Sequence, residues 1–222
     1  MKHNHIAERI TALRATLPQG VTLIAVSKYH PAEAVQAAYD AGQRDFGESK
    51  AQDLTAKYEA LPKDINWHFI GHLQTNKVKY IAPFVHLIHS IDSYKLLCEV
   101  NRQGAKAGRR TPCLLQIHIA QEETKFGLTP QECRELLAAG EWQKLGNVEL
   151  RGIMCMGSNT DDTAQLHREF SQAQTLFNEM KELYFAENER FNIISAGMSD
   201  DHPIAIEHGS THIRVGSSIF CE

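Results

Sequence analysis

The run Val21-Thr22-Leu23-Ile24-Ala25-Val26-Ser27 ends directly on Lys28. Its apolar and β-branched residues, bounded by Gly20 on one side and by Pro31 beyond the lysine, read as one largely buried strand. Seven further runs of this kind follow: Arg44–Gly47, Trp67–Gly71, Leu87–Ile91, Cys113–Ile119, Leu150–Met156, Asn192–Ala196 and His212–Gly216. A helix-length segment separates each from the next. Strands alternating with helical patterns predict βαβ units and a parallel sheet.

The intervening segments carry helix punctuation. Ile6, Ile10, Leu13 and Leu17 form the apolar stripe of an opening helix over about residues 4–17. Pro31 opens the segment after the first strand as a first-turn residue, and Gly42 closes it. Thr129-Pro130-Gln131-Glu132 spells an N-cap, a proline at the first helical position and a capping-box glutamate, with Gly140 as terminator. The longest helix is expected after Ser158-Asn159-Thr160, burying Leu166, Phe170, Ala173, Phe177, Met180 and Tyr184 on one face. Asp92 is expected to cap the helix that carries Leu96, Leu97 and Val100. Asp161-Asp162 and Glu122-Glu123 read as helix-start or loop charges.

An open doubly wound sheet and a closed (β/α)8 barrel share this local grammar. Eight strands, a length of 222 residues and the lack of GxGxxG after the first strand favour the barrel. So do the polar residues at the strands' C-terminal ends, Ser27-Lys28, Glu48, His72, Asp92 and Arg214, because those ends form the active face of a barrel. The expected fold is α/β, a single (β/α)8 TIM barrel domain over residues 1–222 with its N-terminal helix included.

Composition narrows the function classes. The 23 Lys+Arg against 27 Asp+Glu leave a net charge of −4, with a pI near 6.3. That balance provides no general electrostatic pull toward nucleic acid or an anionic membrane. At 42% hydrophobic and 23% charged, with a mean hydropathy of −0.36, the chain has a globular composition. No apolar run reaches the roughly 18 residues that a membrane span needs. The opening MKHNHIAERITALRATL lacks a continuous apolar stretch, so no signal peptide and a cytoplasmic location are expected. Cys98, Cys113, Cys133, Cys155 and Cys221 are odd in number and lack a CxxC pair, which fits reduced thiols better than a disulfide framework. No heptad pattern demands assembly, so a monomer is expected.

Strand alternation places Lys28 on the face of Val26 and Ile24. A lysine there is either a snorkelling surface residue or a partly desolvated amine of the kind that Schiff-base chemistry uses. Ser195-Ala196-Gly197-Met198-Ser199-Asp200 joins a strand to a helix, and Arg214-Val215-Gly216-Ser217-Ser218 forms a second Gly/Ser turn after the last strand. Barrels commonly hold phosphate at the loops after strands seven and eight. His68 and His72 are four apart but lie in a strand and its turn, with no HExxH arrangement, so no metal site is expected. His30, His89, His118 and His212 lie near strand ends, where pocket-lining and ordinary hydrogen-bonded roles both fit. Lys77 and Lys79 read as a solvated face, with contact to phosphate or a partner protein as the alternative.

The strings AVSKYHP, FGES, WHFIGHLQTNK, HSID, ETKFGL, GIMCMG, SAGMSDD and GSTHIRVGSSIF occur in this order from about residue 20 to the C-terminus. Together they resemble the pyridoxal 5′-phosphate homeostasis protein family. WHFIGxLQxNK and GMSxDxxxAIxxGSTxxRxGxxIF are its long, specific motifs. That family is similar in fold to the N-terminal barrel of alanine racemase and lacks the racemase's second, β-rich domain. With this sequence ending at Phe220-Cys221-Glu222, no such domain is expected.

The resemblance implies pyridoxal 5′-phosphate as cofactor, held at C4′ as a reversible Schiff base on Lys28. It implies that Ser199 and the backbone N–H groups of Gly216 and Ser217 hold the phosphate, and that Arg214 faces the pyridine nitrogen. A guanidinium keeps that nitrogen unprotonated and weakens the cofactor as an electron sink. The implied function is vitamin B6 homeostasis by a carrier, with apo-enzymes that need the cofactor as partners and indirect effects on amino-acid and keto-acid metabolism. The alternative is a minimal amino-acid racemase or related enzyme. Racemisation needs an acid/base on each face of the α-carbon, and Lys28 serves one; alanine racemase takes the other, a tyrosine, from the missing domain. No catalytic residue is therefore assigned. Two positions depart from the family: Ser49 stands where it usually has the Asn of FGEN, putting that contact in doubt, and Cys221 where it ends in IFG.

Overall fold

A computed structural model describes residues 4–120 and 126–221. Its strands are β1 (Thr22–Val26), β2 (Asp45–Glu48), β3 (Asn66–Phe69), β4 (Leu87–Ile91), β5 (Thr111–Ile117), β6 (Val148–Cys155), β7 (Ile193–Ser195) and β8 (His212–Val215). They pair in parallel and in chain order, and β8 returns to β1, so the sheet is a closed barrel and not an open doubly wound one. Every predicted run overlaps a strand. β3 stops at Phe69, two residues short of expectation, because the chain presses on the end of β2: a Cβ on Gly71 would lie 2.2 Å from the Ser49 carbonyl oxygen.

The helices are α1 (Asn4–Thr16), α2 (Ala32–Asp40), α3 (Ala51–Ala60), α4 (Val78–Ile81), α5 (Tyr94–Lys106), α6 (Pro130–Ala138), α7 (Thr163–Tyr184), α8 (His202–Glu207) and α9 (Ser217–Phe220). The capping box forms as expected, with Thr129 Oγ1 accepting from the Glu132 N–H at 3.1 Å and the Glu132 carboxylate accepting from the Thr129 N–H at 2.7 Å. Two caps differ from expectation, and a third falls on a residue read as a helix-start charge. Pro31 is the N-cap of α2, not its first helical residue. Ser93 caps α5, its Oγ accepting from the Leu96 N–H at 3.3 Å; Asp92 is instead paired with His72 at 3.2 Å. Asp162 caps α7, while Ser158 donates from its N–H and hydroxyl to the buried Glu169 at 2.7 and 2.6 Å. Tyr184 packs only partly buried on the core, and Leu176 joins the buried face of α7.

Most of the core lies between the strands and the helices, where residues such as Ile10, Leu54, Ile88, Cys113, Ile153 and Ile213 are wholly buried. A fully buried side chain of this size contributes about 1.5–3 kcal/mol. Alternation turns the other strand residues inward, and Leu87, Leu114, Met154 and Ile193 form a small apolar cluster of their own. The rest of the inward set is largely polar: His68, His89, Ser195 and Arg214 are all buried. That polar column leads to the site.

β5 and β6 slip by one residue, Cys113 facing Leu150 but Leu114 facing Gly152. Gly152 absorbs this bulge at φ 146°, and a Cβ there would lie 1.8 Å from the Ile193 carbonyl oxygen. Gly152→Ala is therefore expected to destabilise the barrel by about 3 kcal/mol. Urea unfolding measures this, and an unchanged midpoint would contradict the bulge's role.

Candidate functional site

Closure of β8 on β1 brings the two most informative turns together. After β1 the chain makes a tight turn in which the His30 N–H donates to the Ser27 carbonyl at 3.1 Å. Tyr29 takes a left-handed φ of 69°, the one non-glycine residue to do so among the described residues. Lys28 is exposed at this turn, and its Nζ lies 5.7 Å from the Tyr29 ring. Of the two readings its position allowed, the structure has the solvent-accessible amine. His30 stacks on Phe220 of α9 with ring centroids 4.9 Å apart, tying the turn to the end of the chain.

On the other side, the turn after β8 is pressed against β1: a Cβ on Gly216 would lie 3.0 Å from the Val26 carbonyl oxygen. Ser217 begins α9, where the first backbone N–H groups have no intrahelical acceptors. The turn after β7 needs Gly197 at φ 94°, since a Cβ there would lie 2.7 Å from His202 Cα. Asp201 Oδ1 fixes the same turn by accepting from the Met198 N–H at 2.5 Å. These two turns meet at the Ser199 and Ser217 hydroxyls, 2.9 Å apart. Residues 18 positions apart in sequence thus form one polar edge of the barrel mouth.

Arg214 points into the barrel beneath this edge and is 5% exposed. Its Nη1 donates to Ser195 Oγ at 2.7 Å and its Nη2 to the Cys155 carbonyl at 2.9 Å. Burial lowers its pKa from the ordinary arginine value, but a guanidinium stays cationic in proteins. Two cavities open among the loops at this end. One, about 190 Å³, lies between Ser158, Asp161, Met198 and Asp201. The other, about 230 Å³, is lined by Ser49, His72, Gln74 and Lys77. Lys77 and Lys79 both face the Tyr80 ring, at 5.7 and 5.0 Å.

One feature of the site was not legible as a contact. Glu48 is fully buried, and its Oε1 accepts from Lys57 Nζ at 2.5 Å and from Ser27 Oγ at 2.7 Å. Lys57 also donates to the Ser27 carbonyl at 2.8 Å, so this buried pair anchors the residue just before Lys28. FGES marked Glu48 as a polar strand end, but its partner lies on α3, which local pattern does not orient.

The histidines separate by role. His72 is at the exposed mouth, stacked on Phe126 at 4.1 Å and paired with Asp92. His68 is inside the barrel, so the two do not share a site. His212 starts β8 at the opposite end from Lys28, and His89 is wholly buried. Among the described residues, Asp45, His68 and His86 bring potential metal-ligand atoms within 4.8 Å of one another. Glu122-Glu123, and with them most of the motif ETKFGL, lie outside the described residues.

A closed barrel with a lysine directly after its first strand and paired hydroxyls on the turns after the last two defines a class, that of alanine racemase N-terminal domains, whose family model matches residues 2–222. The chain is 36% identical over 204 residues to the pyridoxal phosphate homeostasis protein of Helicobacter pylori, covering 91% of this chain and 88% of that one. It is 38% identical over 206 residues to the Schizosaccharomyces pombe protein of the same name, covering 91% and 84%. The chain belongs to the pyridoxal phosphate homeostasis protein family. PipY of Synechococcus elongatus, solved with pyridoxal phosphate bound, is similar with a TM-score of 0.86 and 38% identity, over 97% of this chain and 99% of that one. Clostridium difficile alanine racemase, at 12% identity and a TM-score of 0.76, shares the fold over 98% of this chain and 56% of its own.

Lys57→Met would leave the buried Glu48 carboxylate without its cation, which costs about 3–5 kcal/mol. Adding Glu48→Gln is expected to recover part of that loss. Urea midpoints of the two single variants and the double variant measure the coupling; additive effects would contradict it.

Proposed function

We propose that this protein binds pyridoxal 5′-phosphate at the C-terminal mouth of the barrel and acts in the cell's homeostasis of that cofactor. The observation that carries the reading is the 2.9 Å meeting of Ser199 and Ser217 hydroxyls, set beside the first N–H groups of α9, which have no intrahelical acceptors. Neutral donors converging from two turns suit a phosphate dianion, and an accessible lysine sits at the neighbouring turn.

The residues divide the task. Ser199, Ser217 and the backbone N–H groups of Gly216 and Ser217 hold the phosphate. Arg214 faces the ring nitrogen and, being a permanent cation, leaves it unprotonated. When bound, the cofactor supplies an aldehyde carbon that condenses reversibly with an amine, releasing water. Lys28 contributes that amine, and its exposure leaves the link open to exchange with an incoming amine. Apo-enzymes that use the cofactor would be the recipients.

A holder is favoured over a catalyst by Arg214, because a ring nitrogen kept unprotonated withdraws electrons weakly from a substrate carbon. The relatives quoted above, named for homeostasis, support the same choice. With L-alanine in deuterated water, the loaded protein is expected to leave the α-hydrogen unexchanged on an enzyme's timescale; rapid α-deuteration would assign catalysis instead.

Mixing the protein with pyridoxal phosphate is expected to give a visible absorption band. Borohydride reduction and peptide mapping should then place the label on Lys28, and Lys28→Ala should abolish both. Ser199→Ala should weaken binding about tenfold, the worth of one hydrogen bond to a charged group. A label spread over Lys50, Lys77 and Lys79 would overturn the site.

A further inference from the structure

Three buried polar residues inside the barrel, His68, His89 and Ser195, and the partly exposed Asp45 are given no role toward the cofactor in the site as described, and they form a series. Asp45 opens β2 at the N-terminal end of the barrel, and its Oδ1 is 3.1 Å from His68 Nε2. His68 Nδ1 is 2.9 Å from His89 Nε2, and His89 Nδ1 is 2.9 Å from Ser195 Oγ. Ser195 Oγ accepts from Arg214 at 2.7 Å. We propose that Asp45, His68, His89 and Ser195 are positioning residues for Arg214, acting through one continuous, one-directional chain of hydrogen bonds along the barrel interior.

The direction follows from the chemistry of the two ends. A guanidinium only donates and a carboxylate only accepts. Ser195 therefore takes Arg214's proton on a lone pair and can pass its own hydroxyl proton to His89 Nδ1. A neutral His89 then carries its proton on Nε2 and donates to His68 Nδ1. His68 in turn carries its proton on Nε2 and donates to Asp45. Each interior group accepts once and donates once, the arrangement in which successive bonds polarise one another. The reverse order would aim the lone pair of His68 Nε2 at the Asp45 carboxylate, two acceptors 3.1 Å apart, unless His68 gained a second proton.

The surroundings support this arrangement. Burial holds His89 well below the ordinary histidine range, with the nearby Arg214 cation adding to the effect, so it is neutral at physiological pH. Burial likewise holds His86 and His212 at about 4. Burial opposes the Asp45 charge, but hydrogen bonds from His68 and Asn66 offset it and leave its pKa lowered. The chain thus runs from a cation near the mouth to an anion at the opposite end.

The consequence for the cofactor rests on the site proposed above. Ser195 and the Cys155 carbonyl hold both Nη atoms of Arg214. That fixes the plane of the guanidinium and so the direction of its remaining N–H groups toward the ring nitrogen. Asp45→Asn keeps the size of the side chain, removes the anion and offers an amide donor that permits the reverse order.

Long-range ¹H–¹⁵N spectra of the imidazoles test the chain in protein without the cofactor. The expected result is that His68 and His89 are both neutral with the proton on Nε2, and that Asp45→Asn shifts one or both toward Nδ1–H. A proton on Nδ1 of either residue in the unsubstituted protein, or a doubly protonated His68, would overturn the inference. With the cofactor, Ser195→Ala should move the visible band and weaken binding about tenfold, and Ser195→Thr should restore both, since it keeps the hydroxyl. Lower thermal stability in Ser195→Ala with an unmoved band would reduce these residues to packing. If the unsubstituted protein took no label on Lys28, the site reading would fail while the imidazole spectra still judged the chain.

Discussion

The pairing of β8 with β1 is the constraint on which the site depends. Thr22, Leu23, Ile24 and Ala25 register with His212, Ile213, Arg214 and Val215. The strands are almost at opposite ends of the chain, so this contact carries the largest loop-closure cost in the barrel. Once made, it sets the Lys28 turn against the turn of Gly216 and Ser217, and it turns Arg214 inward at the level of Ile24. The termini reinforce the seam: Arg9 of α1 donates to the carbonyls of Ile219 and Cys221, and His30 stacks on Phe220. A slip of one residue in this register would turn Arg214 out of the barrel.

The barrel interior departs from an apolar filling. A TIM barrel is ordinarily packed with branched aliphatic side chains, yet here only Leu87, Leu114, Met154 and Ile193 form a separate apolar cluster. Beside them stand an arginine, two histidines and a serine, all buried. Burying such groups is unfavourable unless their hydrogen bonds are made, and here they are made to one another in series. The Glu48–Lys57 pair behind Ser27 follows the same logic. The result is a fixed polar framework under the mouth, and both polar sets end beside residues of the proposed site.

The sequence discloses features that repeat locally and conceals those that depend on closure. All eight strands were legible because short apolar runs between turn residues are a local signal, as was the Thr129–Glu132 capping box. The cap of α5 falls on Ser93 and not on the expected Asp92, because His72, twenty residues upstream, pairs with that carboxylate. The bulge at Gly152 depends on the close approach of β7, which β6 alone does not reveal. Among the site residues, Ser199 and Ser217 came together on adjacent turns. The partners of His68, His89 and Glu48 were not legible, because each contact joins different elements whose relative placement only the closed barrel sets.

The most direct measurement is a crystal structure of the protein with pyridoxal 5′-phosphate. The expected result is density continuous from Lys28 Nζ, the phosphate within hydrogen-bond distance of the Ser199 and Ser217 hydroxyls, and Arg214 against the ring nitrogen. A cofactor bound elsewhere, or seated at the mouth with its nitrogen turned away from Arg214, would contradict the account.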